Sequence, residues 1–298
     1  MGDAVRKGKD PAAEARDRKR SQWGDVWRRL KRNRLAMAAL IVIVILVLSC
    51  VFAHVISPYS PSEMDAASRL SGCSAQHLLG TDSYGRDTFT RILYGGRVSL
   101  LVSLLSVLMA LVVGGLMGLT AGYFGGLYEN VIMRITDILM AIPAFLMALL
   151  VSVALGGGLI NTAIAIACSA VPSYSRMARA MVLTAKGEQY VEAATSYGCG
   201  SLRIMLRQIF PNISSPLIVQ STLRIGGGII SISGLSFIGL GVQPPTAEWG
   251  SMMSSMMTYF RMQPLVVIFP GLAIILTIFS FNLFGDGLRD AMDPKLKR

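Results

Sequence analysis

Charge is scarce in this chain. Asp, Glu, Lys and Arg make up 15% of its 298 residues, where a soluble domain usually carries about 25%. That deficit argues against a soluble enzyme. Acids are the scarcer sign, 17 against 28 Lys and Arg, for a net charge of +11. Cysteine and histidine are rarer still, at four and two. They are too few and too scattered for a disulfide framework or a zinc cage. His54 and His77 have no partner acids nearby, so no metal site is expected, and nothing in the spacing of Cys50 and Cys73 demands a bond. A phosphate loop is missing too. The stretch Gly80 to Asp87 has two glycines five apart but lacks the Lys-Ser/Thr that grips phosphate and Mg²⁺. No cofactor is expected on this chain.

Long apolar runs are what the sequence has in quantity. A bilayer core of about 30 Å needs about 20 apolar residues in a helix. Leu35 to Ile56 is such a run, broken only by Ser49 and His54. Val98 to Tyr123 is a second, and Ile135 to Leu155 a third, with Asp137 near its start and a kink expected at Pro143. Gly156-Gly157-Gly158 reads as a tight turn into a fourth run, Leu159 to about Tyr174, which carries Pro172. Pro216 to about Val242 is a fifth, interrupted by Arg224, and Pro264 to Phe284 a sixth. The reading is an all-α membrane protein with six transmembrane helices. Polar residues 1–34 precede the first run, which is long enough to span, so a retained anchor is expected rather than a cleaved leader.

The basic residues give an orientation. Arg6, Lys7, Lys9, Arg16, Arg18, Lys19, Arg20, Arg28, Arg29, Lys31, Arg32 and Arg34 crowd the first 34 positions. Arg176, Arg179, Lys186, Arg203 and Arg207 lie between runs four and five, and Arg289, Lys295, Lys297 and Arg298 follow the last. With six spans all three groups share one side. On the other side Arg69, Arg86, Arg91 and Arg97 are balanced by Glu63, Asp65, Asp82 and Asp87, and Arg261 by Glu248. The positive-inside bias therefore puts both termini in the cytoplasm. The basic tail reads as an orientation signal in contact with anionic lipid headgroups, not as a nucleic-acid arm.

The long loop from about Ser175 to Ser215 is the most informative polar stretch. Gly187 to Tyr197 suits a short helix, which Gly198 and Gly200 break. Ser201 reads as the N-cap of a second helix over Leu202 to Phe210, ended by Pro211. Leu202, Met205, Leu206 and Ile209 recur at spacings of three and four and share one apolar face. Two such helices make a compact knob, either a plug for a partner's groove or a loop resting on the membrane.

Glu192-Ala193-Ala194, then Gly198, then Ile209-Phe210-Pro211 resemble the EAA signature of ABC importer permeases. The stretches 77–100, 234–253 and 269–297 are similar to the dipeptide/oligopeptide/nickel branch of that family, in its second permease subunit. One departure is Tyr197-Gly198-Cys199, where the branch often has a Leu-Gly-Ala-like sequence. The resemblance implies a type I importer permease fold. It also implies a division into a cytoplasmic tail 1–34, a first helix 35–56 and an extracytoplasmic loop 57–97 with an interfacial helix. A permease core would follow at 98–285, with its coupling loop at 175–215, and then a tail at 286–298. Glu192, Ala193, Ala194, Gly198, Ile209 and Pro211 would then form the coupling contact with an ATPase. The implied partners are a homologous permease, two ATP-binding subunits that carry the Mg-ATP, and an extracytoplasmic binding protein. Peptides are the implied substrate, with nickel, a metal chelate or glutathione as alternatives.

Several residues carry two readings. Asp87 and Arg91 can pair on a helix face at the start of span two, resting Phe89, Ile92 and Leu93 on the membrane, or they can form a gate or receptor contact. Asp137 pairs with Arg134 near the cytoplasmic end or serves transport. Arg224, two turns into span five, either snorkels to the surface or lines a pathway and meets a substrate carboxylate. The 17 Met read as packing filler. A channel or ion-driven carrier is the competing class. It commonly shows an internal repeat and broken midplane helices with polar ligands, and no clear repeat is visible.

Overall fold

The computed structural model describes residues 24–292, and among them every regular element is a helix. The basic residues Arg6 to Arg20, and Lys295, Lys297 and Arg298, lie outside the described residues. Helix α1 covers 24–32 and α2 Arg34–Val51. Between them Asn33 accepts the backbone N–H of Ala36 at 3.1 Å, capping α2. After the short α3, Ala53–Ile56, a long loop leads to α4, Thr88–Phe124. Helix α5 (Gly126–Met140) and α6 (Ala144–Leu155) form a pair bent by 91° at the break before Pro143 and Ala144. The glycine turn at 156–158 leads into α7, Leu159–Lys186. Then come α8 (Gln189–Ser196), α9 (Ser201–Arg203) and α10 (Phe210–Phe237), followed by α11 (Trp249–Met256) and α12 (Pro264–Met292).

Four of these helical stretches are long and apolar enough to cross a membrane: α2, α4, the run from Ser201 to Phe237, and α12. The bent α5–α6 pair makes a fifth if it counts as one span. The fourth run lies in α7, one helix of 28 residues, long enough to cross. Its second half carries Arg176, Arg179 and Lys186, so it does not stand out by composition.

The tightest seam joins α4 to α7. Gly114, Gly118 and Gly122 recur every fourth residue and so line one face of α4. A Cβ on Gly114 would stand 2.7 Å from the Cβ of Tyr174, and one on Gly122 2.9 Å from the Cβ of Val182. Backbones approach this closely only where side chains are absent, the small-residue logic of membrane helix pairs. Helix α10 packs on α4 and α12 in the same manner, Gly228 against Ser103 and Gly226 against Asn282. Gly226 and Gly228 thus serve packing within this chain.

The loop before α4 holds the densest buried charge. Asp82 accepts from Arg86 Nε at 2.6 Å and faces Arg91 Nε at 3.6 Å, all three side chains buried. Asp87 caps α4 by accepting the Thr90 N–H at 2.7 Å and meets His77 Nδ1 at 2.9 Å. The expected Asp87–Arg91 pair therefore does not form. Capping turns Asp87 toward the helix end, and Arg91 goes to Asp82 and to the Pro61 carbonyl at 2.7 Å. The helix read as entering span two begins at Thr88 and runs on without a break as α4, with Leu93 buried. Glu248 is held by Ser99 Oγ at 3.1 Å and the Ser251 N–H at 2.9 Å.

Candidate functional site

The connection from α7 to α10 is built from a short helix and its stop. Val191 and Ala194, three apart on α8, are buried against Ala185, Ile204, Met205 and Ile209. Gly198 then takes φ +73°, a left-handed conformation that a side chain strains. Its N–H donates to the Thr195 carbonyl at 2.9 Å, and the Cys199 N–H to the Ala194 carbonyl at 3.1 Å. These two bonds are the Schellman arrangement, which satisfies the last carbonyls of α8 and reverses the chain. Cys199 packs back onto the same apolar cluster.

The second helix of the knob differs from the one read in the sequence. Residues Ile204–Ile209 form a π-helical stretch between α9 and α10, and the run from Ser201 to Phe237 is continuous. Pro211 does not end it. The residue comes just after the π-helical stretch, in the first turn of α10. The fifth span therefore begins before Pro216, and the connecting loop shrinks from 175–215 to the residues around α8. The widened π turn also splits the expected apolar face. Met205 and Ile209 are buried, while Leu202 is 66% and Leu206 50% exposed.

The six residues singled out in this loop thus fall into two groups. Glu192, Ala193 and Gly198 are exposed. Ala194 and Ile209 are buried and hold α8 in place, and Pro211 is half-buried. Tyr197 is also exposed, at 88%, as are Leu202, Leu206 and Phe210. These four exposed apolar side chains lie on both sides of Gly198 in the sequence. Sequence reasoning missed the exposed leucines because an α-helical register buries them. Asn212 Nδ2 donates to the Tyr190 hydroxyl at 2.9 Å, tying α8 to α10.

A second group of polar residues lies deeper along α7. Asp137 of α5 pairs with Arg176 at 2.6 Å, not with Arg134. Glu129 accepts from Arg179. Two carboxylates of α5 thus meet two guanidiniums of α7. Arg224 Nη2 donates to Ser173 Oγ at 2.8 Å. It lies fourteen residues after Phe210 and thirteen before Phe237, about 20 Å from either end of α10 at 1.5 Å per residue. Among the described residues no three His, Cys, Asp or Glu gather as metal ligands.

Residues 91–298 match the family described as binding-protein-dependent transport system inner membrane component. Residues 21–72 match the N-terminal TM domain of oligopeptide transport permease C. The chain is 43% identical to the dipeptide transport system permease protein DppC of Alkalihalophilus pseudofirmus, over 93% of this chain and 91% of that protein. It is 44% identical to the di/tripeptide transport system permease protein DppC of Pseudomonas aeruginosa, over 92% of each. It is 43% identical to the glutathione transport system permease protein GsiD of Escherichia coli O157:H7, over 94% and 93%.

Proposed function

The chain belongs to the family of binding-protein-dependent transport system inner membrane components, and from that premise we propose that it is the permease subunit of an ATP-driven importer of peptides. The observation that carries this reading is the near full-length identity to two peptide permeases. The similarity to a glutathione permease keeps glutathione, itself a tripeptide, as the second reading. The chain would work in the bacterial cytoplasmic membrane as a non-catalytic, multi-pass subunit. Hydrolysis of Mg-ATP would fall to two partner ATPases, and substrate would arrive on an extracytoplasmic binding protein. A homologous permease would supply the other half of the pathway.

In this reading α2, α4, α5–α6, α7, α10 and α12 are six spans with both termini in the cytoplasm. The surface of Glu192, Ala193, Gly198, Tyr197 and Leu202 docks on the ATPase, with Ala194, Ile209 and Pro211 as its support. Movement of α8 would pass into α7 and α10 as a rigid-body shift between inward- and outward-open states. Topology and uptake test the reading together. With the other cysteines removed, exposed Cys73 should react with a membrane-impermeant maleimide in intact cells. A cysteine at exposed Thr184, beside α8, should not. Cells lacking their own dipeptide permeases should regain dipeptide uptake when this chain is expressed with its partners. Labelling at position 184 from outside would refute the topology, and absent uptake of both dipeptide and glutathione would refute the substrate class.

A further inference from the structure

Charged side chains of α5 and α7 pair across the two helices. The exposed surface of α4 carries Leu104, Leu108 and Val112, and that of α12 carries Ile275 and Phe279. These suit lipid. Asp137, Arg176, Ser173 and Arg224 instead form a polar strip across α5, α7 and α10. Ionised side chains inside a membrane face a bundle interior or a water-filled cavity, because lipid contact is too costly.

Within that strip the charges are unevenly matched. Arg176 has the Asp137 carboxylate at 2.6 Å. Arg224 has a neutral hydroxyl, and among the described residues no Asp or Glu lies within ion-pair distance of it. The helix face beside it is open. A Cβ on Gly227, one turn on, would meet nothing within 4 Å. One turn further the Ser231 hydroxyl bonds back to the Gly227 carbonyl at 3.1 Å. A guanidinium offers five N–H donors, and the bond to Ser173 uses one of them. The remainder form a fork that matches a carboxylate bidentately.

We propose that Arg224 receives the C-terminal carboxylate of the peptide as it crosses the membrane. The inference rests on the importer reading above and names the chemical group that the pathway recognises. Ser173 holds the guanidinium in place between substrates and so limits the cost of a cation with no acid beside it. The contact is a passing one, since a hydroxyl can take the place of the departing carboxylate.

The test uses the complete complex in proteoliposomes with Mg-ATP. Uptake of the dipeptide Ala-Phe is compared with that of its C-terminal amide, each at a concentration that saturates the binding protein. Arg224→Gln keeps a hydrogen-bond donor for Ser173 but removes the charge. It should lower free-acid uptake about tenfold and leave amide uptake within about twofold, so that the amide-to-acid ratio rises. Arg224→Lys should restore much of the acid uptake. An equal fall for both peptides, or no fall for either, would overturn the proposal. So would loss of complex assembly in Arg224→Gln, which would place the residue in a subunit contact. Wild-type complex that takes up neither peptide would remove the importer reading as well, so the two failures are distinct.

Discussion

A Cβ on Gly118 of α4 would stand 2.7 Å from the Cβ of Ala178 on α7. The two helices therefore touch backbone to backbone there, with Gly114 and Gly122 repeating the contact one turn on either side. Gly118→Ala should destabilise the chain by about 1–3 kcal/mol through overpacking. Gly118→Leu should cost more and lower accumulation in the membrane. Thermal unfolding in detergent checks both, and an unchanged midpoint for the leucine variant would contradict the seam. Gly115, where a Cβ would meet nothing within 4 Å, is the control. Its alanine variant should unfold like wild type.

The loop around α8 should separate docking from folding. Tyr197→Ala and Glu192→Arg change exposed side chains, so the chain should insert and unfold as wild type does. Their association with the ATPase subunits should weaken about tenfold or more. Ala194→Asp places an unpaired charge in the cluster beneath α8 and should destabilise the fold itself. Gly198→Ala forces a side chain into a left-handed conformation and should cost about 1–2 kcal/mol. Co-purification set beside thermal unfolding separates the classes. A Tyr197→Ala variant with full ATPase binding and normal uptake would remove the exposed group from the docking surface.

How much of this was open to sequence reasoning depends on range. The apolar runs, the glycine turn at 156–158 and the stop at Gly198 are local features, and each is visible in a window of a few residues. The seam at Gly114, Gly118 and Gly122 is also local in spacing, yet nothing in it names α7 as its partner. The π turn at 204–209 is invisible for another reason, since apolar spacings of three and four suit an α-helix equally well. Partner choice is the least local feature of all. Arg134 stands three residues from Asp137 and Arg176 thirty-nine, and only the packing of α5 on α7 brings the distant one to 2.6 Å. His77 and Asp87 meet in the same way, across the turn that carries Asp82 and Arg86.

Acidity should act through Glu248, in the segment between α10 and α11. Burial pushes its carboxyl above the ordinary 4.5, against the opposite pull of the Gly250 and Ser251 N–H groups. A raised carboxyl keeps its proton in the folded chain at a pH where the unfolded chain has released it. Its contribution is full below about pH 4.5 and is lost as pH rises through the folded value. Glu248→Gln removes that titration while keeping an acceptor for the Ser251 N–H. The variant should therefore show a flatter dependence of unfolding midpoint on pH from about 4.5 upward, and equal or higher stability at neutral pH. An unchanged slope would show that Glu248 does not titrate in this range.

The central claim is that this chain is half of a pathway driven by ATP hydrolysed elsewhere. Reconstitution into liposomes tests it most directly, with radiolabelled dipeptide uptake as the readout. Purified chain alone should give no uptake with or without an ion gradient. Uptake should appear only when the partner permease, both ATPases, the binding protein and Mg-ATP are all present. Dipeptide flux through the lone chain driven by an ion gradient would contradict the account and make it a self-sufficient carrier.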